Sequence, residues 1–248
     1  PMQPPPFYNV ITLEASATAD ALTIGGIEEV RTDAQVRLQG RSVSISTMTV
    51  ESSGNQLDLV GAATLGTGPI DLAMDARFER PEALAAWLPP HWRPSGALGF
   101  SGRLAGSARE PALAGRIFGS GVEANGIVFD TLESALTFER GVLRVSGLRL
   151  RRGEGSLHLD GDIDRSLTHM NLRGRGEKLA LFVRELDGAG PLRVDDLSVE
   201  IDVTGSPAQP TGHVSSAAGN VAVKRRELGP VALSATSAAG RVRGHLTL

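Results

Sequence analysis

Residues 136–164 read LTFERGVLRVSGLRLRRGEGSLHLDGDID, and apolar and polar side chains alternate along them. The apolar positions of this stretch are Leu136, Phe138, Leu143, Val145, Leu148, Leu150, Leu157 and Leu159. Glycines interrupt the alternation at 141, 147, 153, 155 and 161. A period of two with glycine-rich breaks is typical of short antiparallel strands that have one apolar and one polar face. The stretch therefore predicts an all-β fold.

The same pattern occurs one hundred residues earlier in the chain. The apolar positions of that copy are Val36, Leu38, Val43, Ile45, Met48, Val50, Leu57 and Leu59. Few residues are identical between the two copies, so they match in their pattern of apolar and polar positions. The alignment of the two copies needs no gap. A repeat of this length indicates a stacked fold that extends along one axis, and we expect a long curved antiparallel sheet with an open groove.

Turn signals divide the chain into a tail and repeated units. The expected boundaries are a tail at 1–6, a first unit at 7–105, a second unit at 106–204 and a partial third unit at 205–248. We expect one continuous sheet, not independent domains. Because the pattern starts and stops within a repeat, we also expect the chain to be part of a longer protein.

Two segments depart from the period of two, at 81–88 and 177–186. Their apolar residues are Leu84, Trp87 and Leu88 in the first segment, and Leu179, Phe182, Val183 and Leu186 in the second. This spacing places each set on one face of a helix, and a proline opens the first segment, as helices tolerate. We therefore expect two short amphipathic helices at equivalent positions of successive units.

The composition excludes several classes of function. The chain has 25 Lys and Arg against 28 Asp and Glu, so it lacks the basic footprint of a nucleic-acid binder. Aromatic residues make up 4%, which leaves little for bases to stack on. There is no cysteine, hence no disulfide framework or thiolate metal site. No apolar run approaches the roughly 18 residues of a membrane-spanning helix.

Metal and catalytic motifs are also missing from the sequence. Asp160, Asp162 and Asp164 resemble the start of a calcium loop, but its sixth position is Arg165 and its twelfth is Asn171. The histidines show no metal-binding spacing, and no G-x-S-x-G motif is present. We expect no metal, no cofactor and no enzymatic activity.

The apolar face is the candidate site. Its lining is rich in Leu, Val, Ile, Met, Ala and Gly, which predicts an open groove; the alternative is the filled core of a sandwich. The predicted groove lining is Val36, Leu38, Val43, Ile45, Leu57, Leu59, Leu136, Phe138, Leu143, Val145, Leu157 and Leu159. The opposite, solvated face is predicted to carry Arg37, Asp58, Arg144, His158 and Asp160.

Residues 106–163 contain four motifs in succession. They are G-S-x-x-x-P-x-L-x-G-x-I, V-E-A-N-G-I, L-x-F-x-x-G-x-L-x-V-x-x-L-x-L and G-S-L-x-L-x-G-x-I. This order resembles the AsmA-like and TamB family of bacterial envelope proteins, and it recurs more weakly over 17–248. The amino-terminal membrane anchor of that family is not among these residues.

The resemblance implies a sheet bent into a "taco" with a hydrophobic groove, placed in the periplasm of a Gram-negative-type bacterium. It implies bridge-like movement of phospholipid between the inner and outer membranes, or help in assembling outer-membrane proteins. The implied partners are phospholipid, both membranes through other parts of the protein, and an outer-membrane assembly protein. Burial of an acyl chain, worth about 0.8 kcal/mol per methylene, makes lipid binding physically reasonable.

Two other functions stay open at this point. The chain could be a structural spacer or stalk with a filled core and no ligand, or a chaperone that pairs its sheet edge with a client strand. Unpaired edges also predict edge-to-edge self-association.

Overall fold

The computed structural model describes residues 12–24, 27–81, 95–124, 127–166, 168–183, 192–206, 209–223, 226–238 and 241–247. These residues form one 15-stranded antiparallel sheet and contain no α-helix, which confirms the all-β prediction. The strands are β1 (Thr12–Ile24), β2 (Ile27–Gln39), β3 (Ser42–Ser52), β4 (Asn55–Thr64), β5 (Pro69–Phe78), β6 (Ser95–Ser107), β7 (Pro111–Ala124), β8 (Ile127–Glu139), β9 (Val142–Arg152), β10 (Gly155–Asp164), β11 (Met170–Val183), β12 (Leu192–Ser206), β13 (Gln209–Val223), β14 (Arg226–Ala238) and β15 (Arg241–Thr247).

The sheet is a meander in which each strand pairs with its neighbours in the chain. It stays open, because β1 and β15 are its two edges and do not pair with each other. Several connections are tight turns. Ser53 and Gly54 join β3 to β4 with φ angles of 51° and 84°, and Arg140 and Gly141 join β8 to β9 with 50° and 77°. Two successive positive φ angles are the turn that matches the right-handed twist of a hairpin.

The hundred-residue repeat is visible in the strand bounds. β8, β9 and β10 begin and end one hundred residues after β2, β3 and β4. Both copies share a bulge: the register shifts between Ile45 and Met48 in β3, and between Val145 and Leu148 in β9. The extra residue of a bulge keeps the apolar side chains before and after it on one face. The expected unit boundaries at 106 and 205 lie inside β6 and β12, so the sheet passes through both without a break.

The prediction of a helix at 177–186 is wrong, because residues 177–183 belong to β11. Lys178 has a φ of 51°, and the pairing with β12 shifts from Gly176–Val199 to Leu179–Leu197. This bulge inserts a residue into the alternation, and the resulting apolar spacing imitates a helix. The remainder of that segment lies outside the described residues, as does all of 81–88 except the buried Pro81.

Asn55 ties the chain after β5 to the turn between β3 and β4. Its Nδ2 donates to the Arg80 carbonyl at 3.2 Å, and its Oδ1 accepts from the Arg80 backbone N–H at 3.1 Å. Asn55 is only 9% exposed. The side chain therefore substitutes for a pair of backbone hydrogen bonds at this end of the sheet.

Asn55→Ala is expected to lower the free energy of unfolding by about 1–3 kcal/mol, because it leaves two Arg80 backbone groups without partners. Urea denaturation followed by circular dichroism measures the change. Gln56→Ala is the matched control, since the Gln56 amide reaches only Asp58, and a change within about 0.5 kcal/mol is expected there. Equal losses in the two variants would contradict the assigned role of Asn55.

Candidate functional site

The predicted groove residues lie on one face of the sheet, which we call the inner face. In the first unit the facing pairs are Val36–Ile45, Leu38–Val43, Met48–Leu59 and Val50–Leu57. In the second unit they are Leu136–Val145, Phe138–Leu143, Leu148–Leu159 and Leu150–Leu157. Directly opposed residues of antiparallel strands project to the same side, so the pairing register brings each predicted set together.

The structure extends the inner face across the strands between these two sets. The pairs that connect them are Leu59–Met74, Leu72–Leu104, Phe100–Ile117, Leu104–Leu113 and Leu113–Phe138. The prediction missed these positions, although the alternation in β5, β6 and β7 carries the same signal. The inner face is therefore one apolar surface that runs across the strands of both units.

The inner face is half-exposed. All twelve predicted groove residues have intermediate exposure, and none is fully buried. The fully buried apolar residues in the described part of the chain are Val30, Ala34, Ala76, Val122, Phe129, Leu179, Ala218 and Val221. In a filled sandwich core, large inward side chains would be the most buried of all. The described residues also form no second sheet that could cover this face.

The total surface area agrees with an uncovered face. The chain exposes 16641 Å², and its mass is 26.0 kDa. A compact globular protein of that mass exposes about 10,500 Å². An open single-layer sheet contributes to such an excess, because one of its faces lacks a packing partner.

Glycines on the inner face let large side chains lie flat. A Cβ placed on Gly102 would be 2.7 Å from Cζ of Phe100, and one on Gly115 would be 2.6 Å from the same atom. Leu159 Cδ2 occupies the corresponding space at Gly174, and Leu172 Cδ2 does so at Gly161. These side chains cover neighbouring glycines instead of projecting outward, so the inner face is smooth and unfilled.

The outer face is mainly polar and solvated, although Val60 and Phe118 are also exposed on it. Arg37, Arg144, His158 and Asp160 are exposed, and Asp58 is half-buried, where it accepts a hydrogen bond from Thr49 at 2.7 Å. Ion pairs cross the strands at Arg37–Glu14 (2.6 Å), Arg31–Asp20 (2.8 Å) and Arg173–Asp202 (3.6 Å). The hydrogen bond that Arg31 donates to the Asp20 carboxylate raises the pKa of Arg31, which stays charged. Exposed ion pairs of this kind contribute little to stability. The main effect of these charges is that water solvates the outer face.

The three aspartates that resemble a calcium loop do not converge. Asp160 accepts the Gly147 N–H at 2.6 Å, while Asp164 closes the turn between β10 and β11. The Asp164 carboxylate accepts from Thr168 Oγ1 at 2.5 Å, Ser166 Oγ at 2.9 Å, and the N–H groups of Thr168 and His169 at 2.8 and 3.1 Å. In the described residues, no group of three or more His, Asp or Glu is placed to hold a metal ion. No helix there is long and apolar enough to span a bilayer.

Asp164 is expected to make stability depend on pH in the acid range. Hydrogen bonds, first of all from the Thr168 hydroxyl, lower its pKa from 3.8 to about 2. A carboxyl group with a depressed folded-state pKa stabilises the fold above its ordinary pKa, and this contribution is lost as the pH falls through about 2. The unfolding midpoints of wild type and Asp164→Asn should therefore differ at neutral pH and converge toward pH 2.

Urea titrations at several pH values test this expectation. Asp162→Asn is the control, because no described residue makes a hydrogen bond or ion pair with the Asp162 side chain. A gap between wild type and Asp164→Asn that keeps its full size down to pH 2 would rule out the assigned role.

Comparisons of the chain with protein-family models, with curated proteins and with solved structures found no match. The candidate site is therefore defined by its own geometry. It is a smooth, continuous and half-exposed apolar surface, backed by a solvated polar face.

Proposed function

We propose that the chain binds the hydrocarbon chains of phospholipids on its inner face and conducts them across its strands. The observation that carries this proposal is the half-exposure of every predicted groove residue on a continuous apolar surface. A large exposed apolar surface marks a binding site in soluble proteins. Contact with the inner face removes acyl methylenes from water, and full burial is worth about 0.8 kcal/mol for each.

The dimensions of the sheet suit a conduit. Neighbouring strands lie about 4.8 Å apart, so the path across 15 strands measures roughly 67 Å. Leu, Val, Ile and Met line it with few interruptions, so successive positions bind an acyl chain with similar strength and the barriers between them are low. In this proposal the protein works in the periplasm, between the inner and outer membranes, or supports assembly in the outer membrane.

Lipid capture in bacterial cells tests the proposal. A photo-crosslinking residue at Leu59 or Leu159 should form lipid adducts, and one at Asp58 or Asp160 should not, because these positions project from opposite faces of β4 and β10. Mass spectrometry identifies the adducts and any lipid that co-purifies with the chain. If no inner-face position captures lipid, the spacer function takes its place.

Edge pairing is a second candidate, and one observation favours it. All seven residues of β15 are exposed, and the strand has no neighbour beyond β14 in the described part of the sheet. An edge with open N–H and C=O groups accepts an extended strand from a client or from a second copy. A crosslinker at Val242 that captures protein instead of lipid would favour this candidate.

A further inference from the structure

Arg152 interrupts the apolar lining of the inner face. It pairs with Gly155, and Leu150 pairs with Leu157 two residues earlier in the strand. Residues two apart in a strand project to the same side, so Arg152 points to the inner face, unlike its neighbours Arg149 and Arg151. The register of β8 and β9 places Asp130 across from Arg152, and the other inner-face positions of β9 and β10 carry no charge.

The guanidinium group of Arg152 is partly buried and has no hydrogen-bond or ion-pair partner among the described residues. Its Nη1 is shielded from solvent and makes no hydrogen bond, and no carboxylate in the described residues lies within ion-pair distance. The Asp130 carboxylate, near the same turn, accepts the Gly153 N–H at 2.6 Å instead. Buried donors are almost always satisfied, and a charged donor without a partner is costly. Such a group points to a ligand.

The surroundings of Arg152 form a covered end of the inner face. β8 and β11 flank the hairpin of β9 and β10, continue past its turn, and come within 8 Å of each other between Cα atoms. The backbone of β11 lies against the hairpin, since a Cβ on Gly155 would be 2.9 Å from the Leu179 Cα. Phe129 and Leu179 are 7% and 4% exposed. Arg152 therefore lies at the end of the hairpin that β8 and β11 flank, next in the strand to the leucines of β9.

The first unit has a different residue at this place. The position one hundred residues earlier is Ser52, and Asn55 replaces Gly155. Both units build the same hairpin, so the fold does not require a cation there. The second unit thus differs from the first by a cation at 152, and also by Asp130, which stands where the first unit has Val30.

We infer that Arg152 binds the anionic head group of an amphiphile whose hydrocarbon chain lies on the inner face of β9 and β10. The ligand class is a carboxylate or phosphate amphiphile, because the planar guanidinium fork matches both groups. This inference rests on the proposed function and deepens it: most of the inner face takes hydrocarbon without preference, and Arg152 selects anionic head groups at one place.

Isothermal titration of the purified chain with dodecanoate and with dodecanol, which share a chain length but not a charge, tests the inference. We expect wild type to bind dodecanoate roughly ten- to hundredfold more tightly than dodecanol, as for a charge-assisted hydrogen bond. Arg152→Gln should abolish this preference, mainly by weakening the binding of dodecanoate. Arg149→Gln removes the same charge from the outer face of the same strand and should preserve the preference.

Thermal unfolding of the ligand-free variants separates binding from a structural role. Arg152→Gln should unfold at the same temperature as wild type or higher, because it removes a partly buried cation whose Nη1 has no hydrogen-bond partner among the described residues. A lower unfolding temperature, with equal losses for both ligands, would make Arg152 structural and overturn the inference.

The other outcomes are equally decisive. Equal affinity for dodecanoate and dodecanol, unchanged in Arg152→Gln, would overturn the head-group site while leaving the apolar surface intact. Competition by inorganic phosphate at the concentration at which dodecanoate acts would show a site for free anions and overturn the amphiphile. If neither ligand binds, the proposed function fails and this inference fails with it.

Discussion

Leu159→Asp is expected to abolish lipid capture in a folded chain, whereas Leu179→Asp is expected to unfold the chain. Leu159 is half-exposed on the inner face, where water reaches a carboxylate, so the variant loses about 1–2 kcal/mol of packing over Gly174. Leu179 is 4% exposed, and a charge there is buried without a partner, which costs several kcal/mol. Circular dichroism measures folding, and crosslinking from Leu59 measures capture.

The control for both variants is His158→Asp, which adds the same charge next to Leu159 but on the outer face. It should leave folding and lipid capture unchanged. If Leu159→Asp unfolded the chain as completely as Leu179→Asp, the inner face would be a filled core. That result would end the transport proposal and leave the spacer.

Gly102→Ala is expected to destabilise the sheet by about 3 kcal/mol, whereas Gly244→Ala should be neutral or stabilise it by up to about 1 kcal/mol. A Cβ on Gly102 would lie 2.8 Å from the Gly115 Cα and overlap the Ala114 carbonyl oxygen. Backbone atoms cannot move aside as a flexible side chain can, so β6 and β7 would have to separate. At Gly244 the nearest atom is the Ser234 oxygen at 3.8 Å, which is ordinary contact.

Chemical denaturation of both variants measures the change in the free energy of unfolding, which is expected to differ in sign between them. Each substitution adds a single methyl group to an inner-face position, so hydrophobicity changes equally in the two. A Gly102→Ala variant as stable as wild type would show that the strands have room to spare and that Phe100 does not need a glycine beneath it.

Much of this architecture could be predicted from the sequence, because the period of two is a local property of the backbone. Side chains at every second position share a face whatever the tertiary structure, so residues such as Leu136, Phe138 and Leu157 could be assigned to one side. The three-residue spacing of Ile45 and Met48, repeated at Val145 and Leu148, even marks the bulge at which the alternation resets. The hundred-residue repeat then extends the assignment to both units.

A left-handed backbone position is the reason why the helix prediction at 177–186 was wrong. Lys178 adopts a φ that few non-glycine residues take, and no pattern of apolar residues signals it. Its bulge gave Leu179 and Val183 the spacing of a helix. Arg152 is a different case: it continues the alternation of Leu148 and Leu150, so its inward direction was readable. The predicted groove lining nevertheless did not include it.

Because the sheet is a meander, the stability of each strand depends on its pairing with the two adjacent strands. Each strand forms ladder hydrogen bonds only with the strands next to it. Local opening of one strand pair therefore leaves distant strands paired. Amide hydrogen exchange should therefore be fastest in β1 and β15, and its rate should decrease progressively toward β7 to β9. A single exchange rate for the whole sheet is not expected. Folding should be rapid for a β protein of this size, since its pairings close short loops. One hairpin can therefore open while the rest of the inner face keeps its shape.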